Sequence, residues 1–463
     1  MTALVFRGVR LIDPGTGLDQ ADLDCLVEGG RIAAVGHRLA VPPGTTEWSA
    51  PGSVLAPAFF DCHVHLRTPG EPHKETIAGA TEAAARGGFA TCCAMANTDP
   101  PVDDPQVLRD LGPRLAALGR VSVRQFAACT KGLRGREPVD VEALCDSGAA
   151  GFSDDGRHAM EPPVLAELLR RAVRHQRVVA IHPEDEGVLA AANRGDPGPP
   201  TAWARRPPEA ELRAVTVALD TLARSPGARL HLQHCSTRLV LDPLRAARRA
   251  GLAVTAEVTP HHLALSATGL QALGVPAPAA VCNPPLRQDD DRDALWAAVL
   301  DGTIDAIATD HAPHEAVLSG GPAGGSRAAP GFSGLEVALG VLLTLPGAAA
   351  ALPRLVAALT VGPWRVLGPA AAGGPCPSLL PGARADCVWF DPGTVWTPAK
   401  EAAEWRSGGR NTPFWTVPLR GRVLATLRGG RAVFRWTPAG GPGADAGGRQ
   451  APGPLAETVP GRG

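Results

Sequence analysis

What most constrains this chain is a unit that recurs eight times: a short apolar run, often β-branched, then a polar cluster, then in most cases an amphipathic helical pattern. The runs are "SVLAPAFFDCHVH", "GFATCCAMANT", "VSVRQFAACT", "GAAGFSDDG", "RVVAIHPED", "RLHLQHCST", "LAVTAEVTPHH" and "TIDAIATDHAPH". Stretches such as "ETIAGATEAAARGG", "PPVLAELLRRAVRHQR", "EAELRAVTVALDTLARS" and "DRDALWAAVLDG" lie between them, with Leu, Ala and Val spaced to bury one helical face. Strands alternating with helices imply right-handed crossovers and a parallel sheet. Eight such units predict an α/β fold, a (β/α)8 TIM-like barrel over residues 55–377.

At 463 residues the chain holds such a barrel with sequence left over on both flanks. Residues 1–54 and 378–436 contain short strand patterns joined by Gly turns, such as "LVFRGVRLIDP" and "LRGRVLATLRGGRAVFRW". The two ends are expected to pair into one small β-sandwich module. The Gly/Pro/Ala-rich stretch 437–463 is expected to be disordered. A second loose stretch, "EAVLSGGPAGGSRAAPG", follows the eighth strand and reads as a candidate active-site cover.

Charge narrows the partner. With 45 basic against 46 acidic side chains, nothing marks nucleic acid or an anionic membrane as a target, so the expected partner is a small molecule. No charged segment followed by a long apolar run opens the sequence, and no apolar stretch is long enough to span a bilayer; a soluble cytoplasmic protein is expected. The ten cysteines lie mostly in apolar runs without Cys-x-x-Cys spacing, as buried thiols do.

Every apolar run ends in polar or ionisable residues, and in this architecture the C-terminal ends of the strands form the reaction face. His63 and His65 stand one residue apart at the end of the first run; a strand sends residues i and i+2 to the same face, roughly 6.6 Å apart along the backbone. Other strand ends offer Asp154 and Asp155, His182, His234, His261 and His262, and Asp310 with His311. Taken singly, each has a plain structural explanation: a satisfied core histidine for His182 and His231, a solvated turn for the aspartate pair, a helix cap for Asp310. Taken jointly, at the rim of one barrel, they point to a metal hydrolase site built from imidazole and carboxylate. Two metals would need a bridging anion, and the aspartates of "SDDG" are the candidates.

The motifs "DCHVHLRTPG", "PHKET", "MANTDPP", "GFSDDG", "HCST", "VTPHHL", "CNPPLR", "TDHAPH" and the late "GGRNTPF", in this order, resemble the dihydroorotases of the amidohydrolase superfamily, in their longer bacterial type (class I). The resemblance runs from about residue 5 to residue 436. It implies reversible, zinc-dependent cyclisation of N-carbamoyl-L-aspartate to dihydroorotate in pyrimidine synthesis. Carried over by position, His63, His65 and Asp310 would bind one zinc, His182 and His234 a second, with two ions per chain and Asp155 as their bridge. Asp155 is preferred to Asp154 because its distance to His182 matches the family's. Arg67, Asn97 and Asn283 resemble the binders of the substrate's carboxylate and ring amide, with His65 beside them and His314, Gly331 and Phe332 closing over it. The resemblance also admits a homodimer and a complex with aspartate carbamoyltransferase.

The proton chemistry agrees with these roles. Asp310 is expected to pass a proton between water and the ring nitrogen, and Arg67 offers the planar fork that a substrate carboxylate needs. Departures lie at Thr68, where relatives usually carry Glu, and around the loop after His314, which lacks an acidic segment and ends "PGFSG". Two rivals stay open. A hydantoinase or allantoinase would bridge its metals with a carboxylated lysine, and of Lys74, Lys131 and Lys400 only Lys131 is expected near the reaction face. A non-catalytic barrel supporting aspartate carbamoyltransferase would lose metal ligands, and this chain keeps them all.

Overall fold

In the computed structural model, residues 3–156, 160–194, 206–270, 280–315 and 329–437 are described. Most of the candidate cover segment and all but the first residue of the expected disordered tail lie outside them.

The N-terminal part of the flanking module forms because β-branched and aromatic residues recur between Gly turns. Strand β1 (Leu4–Asp13) pairs antiparallel with β2 (Leu18–Glu28), which pairs with β3 (Arg31–Gly36). Strands β4 (Thr46–Ser49) and β5 (Val54–Pro57) run parallel to β1. One residue later the chain changes sheets. Ala58 N–H donates to Asp386 O at 2.9 Å, whereas Phe59 N–H donates to Gly88 O at 3.0 Å. Sequence reading merges the two strands into one apolar run because both are buried on both faces, so no alternation marks the boundary.

The barrel begins with β6 (Phe59–Val64), followed by β7 (Phe89–Ala94) and β8 (Ser122–Gln125), all parallel. Strands β9 (Gly151–Ser153), β10 (Val178–Ile181), β11 (Leu230–Leu232), β12 (Val254–Val258) and β13 (Ala306–Ile307) form a second parallel run. Two bridges join the runs into a ring. Ala127 pairs with Phe152 between β8 and β9, and Val64 pairs with His311 between β6 and the end of β13. His65 N–H donating to His311 O at 2.8 Å completes the closure. The expected (β/α)8 barrel is therefore present, with one strand at the head of each of the eight units.

The crossover helices follow local signals. Thr76 caps Ile77–Arg86 by accepting from Gly79 N–H at 3.0 Å, and Asp104 caps Pro105–Leu118 in the same way through Gln106 N–H. Helix Pro162–Ala172 buries Leu165, Leu168, Leu169 and Ala172, a single stripe at helical spacing.

After the barrel, β14 (Cys387–Trp396), β15 (Leu419–Arg428) and β16 (Arg431–Arg435) return to the first module. Strand β14 pairs antiparallel with β5, so the two ends of the chain complete one sheet in the order β16-β15-β14-β5-β1-β2-β3, with β4 beside β1. Phe6, Trp48 and Trp389 pack together at its centre, with the Trp48 and Trp389 rings stacked 5.8 Å apart. All ten cysteines are unpaired, and nine are buried. No helix of the described residues is long and apolar enough to cross a membrane.

Candidate metal centre at the barrel mouth

Short strands bring distant residues to one rim. His63 is on β6 and His65 one step past it; Asp155, His182, His234 and Asp310 sit one to three residues beyond β9, β10, β11 and β13. The Asp155 carboxylate is the hub. Its oxygens lie 3.4 Å from His63 Nε2, 3.4 Å from His65 Nε2, 3.6 Å from His182 Nδ1 and 3.3 Å from His234 Nε2. Asp310 approaches from the other side, 3.0 Å from His65 Nε2 and 3.5 Å from His63 Nε2. The neighbouring aspartate faces elsewhere: Asp154 accepts from Cys129 N–H at 2.7 Å, from Thr130 N–H at 3.1 Å and from the Thr130 hydroxyl.

Three of the positions that shape this rim hold left-handed backbone without being glycine: Arg67 at φ +55°, His234 at +31° and Asp310 at +46°. Such conformations cost of order 1–3 kcal/mol each and persist only where surrounding contacts over-determine them. Their concentration at one mouth marks the same place as the side chains do.

The electrostatics call for a cation. His63 is fully buried, and among the described residues its Nε2 has no hydrogen-bond partner although two carboxylates lie within 3.5 Å. Burial disfavours a charged His63, yet Asp155, Glu257 and Asp310 outweigh it and hold its pKa well above the ordinary value. Burial likewise pushes Asp155 up, but the imidazoles of His63, His182 and His234 overcome it and hold the carboxyl well below its usual range. Three buried carboxylates thus hold protons on the imidazoles between them, and a divalent ion bound to the same nitrogen and oxygen atoms would supply that positive charge in place of the protons. Two triads, His63/His65/Asp155 and Asp155/His182/His234, each gather one donor atom per residue within 4.8 Å of one another. Nitrogen and oxygen donors of this kind suit zinc. The residues present fit a metal.

Behind these side chains stand groups that sequence reasoning passed over. Glu257, fully buried on β12, accepts from His63 Nδ1 at 2.6 Å, His231 Nε2 at 2.9 Å, the Cys62 thiol at 3.1 Å and His234 N–H at 3.2 Å. Binding the far nitrogen of His63 fixes its tautomer and leaves Nε2 free to face the hub. Glu184 does the same for His182, taking Nε2 at 2.8 Å while Arg206 grips both carboxylate oxygens. The signal for Glu257 was present: a carboxylate inside "VTAEV", a strand otherwise built for burial. His231, read as a core histidine, is buried with Thr255 on one nitrogen and Glu257 on the other.

The remaining residues singled out from sequence surround the rim unevenly. Arg67 Nε donates to Pro313 O at 3.2 Å, and its guanidinium meets His314 Nε2 at 3.2 Å. Burial first, then Arg67, lowers the His314 pKa to about 4, so this ring is neutral. Asn97 uses both ends of its amide within the centre, accepting from His65 Nδ1 at 2.9 Å and donating to Asp155 at 3.3 Å. Asn283 finds no hydrogen-bond partner for its buried Oδ1 among the described residues. Phe332 is buried edge-on against the His261 ring at 4.9 Å, and Gly331 N–H donates to Val281 O. Lys131 is exposed and paired with Glu137, away from the hub that Asp155 occupies.

Comparison with known proteins gives the family and the fold. A family model described as "Dihydro-orotase-like" matches residues 52–238. A dihydroorotase from Anaeromyxobacter dehalogenans is 38% identical across 93% of this chain and 97% of its own length. Dihydroorotases from Thermus aquaticus, 38% identical over 93% of this chain and 99% of theirs, and from Aquifex aeolicus, 34% over 94% and 100%, match along the same span. Among solved structures, an L-hydantoinase (dihydropyrimidinase) from Arthrobacter aurescens superposes with a TM-score of 0.81 at 22% identity, covering 93% of this chain and 96% of that one. A D-hydantoinase from a Thermus species gives 0.78, also at 22%, over 93% and 95%. These two likenesses speak for the fold.

Proposed function

The chain belongs to the dihydroorotase family of amidohydrolases, and from that premise we propose that it catalyses the reversible, zinc-dependent cyclisation of N-carbamoyl-L-aspartate to (S)-dihydroorotate with release of water. The observation that carries this reading is the Asp155 carboxylate, 3.3 to 3.6 Å from ring nitrogens of four histidines, where a rival chemistry would need a lysine. His63, His65, Asp155, His182, His234 and Asp310 would hold two zinc ions, whose chemistry is to lower the pKa of water and polarise the attacked carbonyl.

The chain's own residues do the rest. Asp310 is the proton carrier. Burial pushes its pKa up, but His63 and His65 bring it down to about 2, so it is an ionised base at neutral pH. In ring closure it takes the proton that the carbamoyl nitrogen loses as the C–N bond forms and gives it to the carboxylate oxygen that departs as hydroxide, which a second proton from solvent converts to water; in ring opening the transfers reverse. Arg67 binds the substrate's α-carboxylate through its planar fork. Asn283 offers its unpartnered Oδ1 to a ring N–H. Asn97 keeps His65 and Asp155 in register, and His314, Gly331 and Phe332 wall the site on the side of Arg67.

The test is the loss of dihydroorotate absorbance in the ultraviolet with the purified chain, run beside hydantoin and allantoin. Dihydroorotate is expected to be consumed, the rate to vanish on chelation and to return with zinc. Turnover of hydantoin with dihydroorotate untouched would overturn the substrate, and inactivity toward all three with zinc present would overturn catalysis.

A further inference from the structure

The motif "GGRNTPF" has no part in the roles above, yet its Asn411 spends its whole hydrogen-bonding capacity on the rim of the site. Its Nδ2 donates to Ala312 O at 3.0 Å and to Gly331 O at 2.8 Å. Its Oδ1 accepts from His314 N–H at 3.0 Å and from the Ser333 hydroxyl at 2.9 Å. Two donors and two acceptors are all that a side-chain amide has. The orientation is unambiguous, because carbonyls can only accept and a backbone N–H can only donate. The backbone adds a fifth link, Ser333 N–H to Asn411 O at 3.2 Å.

These bonds tie two segments, 312–314 and 331–333, to a residue 78 to 99 positions further along the chain. The approach is close enough to exclude a side chain nearby: a Cβ on Gly409 would lie 2.6 Å from both Pro313 Cβ and Ser333 Oγ. Gly331, at φ +132°, is as tightly placed, with an added Cβ only 2.5 Å from that of Ala312. The first clamped segment is the one that touches Arg67, through Pro313 O at 3.2 Å and the His314 ring at 3.2 Å. Among the described residues, the guanidinium is otherwise restrained only by a loose pairing with Glu71, at 3.8 Å.

We propose that Asn411 is a positioning residue for carboxylate recognition, fixing the Pro313 carbonyl and the His314 ring against which Arg67 is aimed. The role of Arg67 rests on the proposed function; the clamp does not. A stitch that merely held the fold together would affect every ligand alike. A residue that aims Arg67 affects ligands that carry a carboxylate.

The experiment compares orotate with uracil, the same kind of ring with and without the carboxylate, binding to the zinc-loaded full chain by calorimetry. Asn411→Ala is expected to weaken orotate about tenfold, the scale of a lost hydrogen bond to a charged group, with uracil affinity and bound zinc unchanged. Ser333→Ala, which removes one of the bonds, should shift the orotate-to-uracil ratio in the same direction by less. Equal weakening of both ligands, or no weakening of orotate, would overturn the inference. If Asn411→Ala does not fold, an unchanged ratio in Ser333→Ala overturns it instead. A wild-type chain that favours orotate yet never opens dihydroorotate would sink the proposed function and spare the clamp; one with no preference for orotate would sink the clamp.

Discussion

Asp154 and Asp155 are adjacent in sequence and opposite in environment. The first is absorbed by Cys129 and Thr130, and burial raises its pKa to about 6; the second is buried too, but His63, His182 and His234 outweigh burial and hold its pKa down. The residues alone left both open as a bridge, because what separates them is the loop at 129–130, which offers two N–H groups to whichever aspartate turns its way. For Glu257 the buried acid inside "VTAEV" was legible but its partner was not: nothing local says that His63, 194 positions earlier, needs a carboxylate on its far nitrogen. Two predictions belong at this scale. Asp310→Asn removes the proton carrier and should lower kcat by at least about 10²-fold, with the circular dichroism spectrum unchanged; a near-normal rate would remove Asp310 from that role. Glu257→Gln keeps the shape but not the charge beneath His63 and should weaken zinc retention about tenfold. Competition with a chelator measures it, and wild-type affinity would show that the carboxylate is dispensable.

At the scale of elements, the barrel strands were readable as eight apolar runs, since each is capped by polar residues at its C-terminal end. Their lengths were not, because several pair over only two or three residues before the chain turns toward the mouth. The split between β5 and β6 escaped notice because burial on both faces erases the period-two pattern. In the outer sheet, Asp24 on β2 secures an irregular stretch of β1: it accepts from Gly8 N–H at 3.0 Å and Leu39 N–H at 2.9 Å and pairs with Arg7 at 2.7 Å. Burial opposes ionisation, but the bonds from Gly8, Arg7 and Leu39 prevail and lower its pKa. Since the folded carboxyl holds its proton less tightly than the unfolded one, the stabilisation is complete above the ordinary carboxylate pKa of about 4 and is lost as pH falls through the lower folded value. Asp24→Asn should therefore cost about 1–2 kcal/mol at pH 7, with the gap to wild type closing in acid. Urea unfolding followed by tryptophan fluorescence, to which Trp48 and Trp389 in the same sheet report, would reveal a pH-independent gap if this account is mistaken.

For the molecule as a whole, fold and site are one fact. Closing eight parallel strands brings residues 63 and 310, at opposite ends of the barrel sequence, within 3.5 Å. Returning the last strands to the first sheet lets the segment before β15 reach over the rim, where Asn411 sits. The order of motifs made the ring and its polar mouth legible; the reach of that late segment was not, since no periodicity ties it to the barrel. The central claim is that His63, His65, Asp155, His182, His234 and Asp310 enclose two cations, with Asp155 shared between them. Anomalous diffraction at the zinc edge from crystals grown with zinc tests it most directly. The account predicts strong peaks among these six side chains, with the Asp155 carboxylate between them; zinc bound only elsewhere, with Asp155 turned out of the ring of imidazoles, would contradict it.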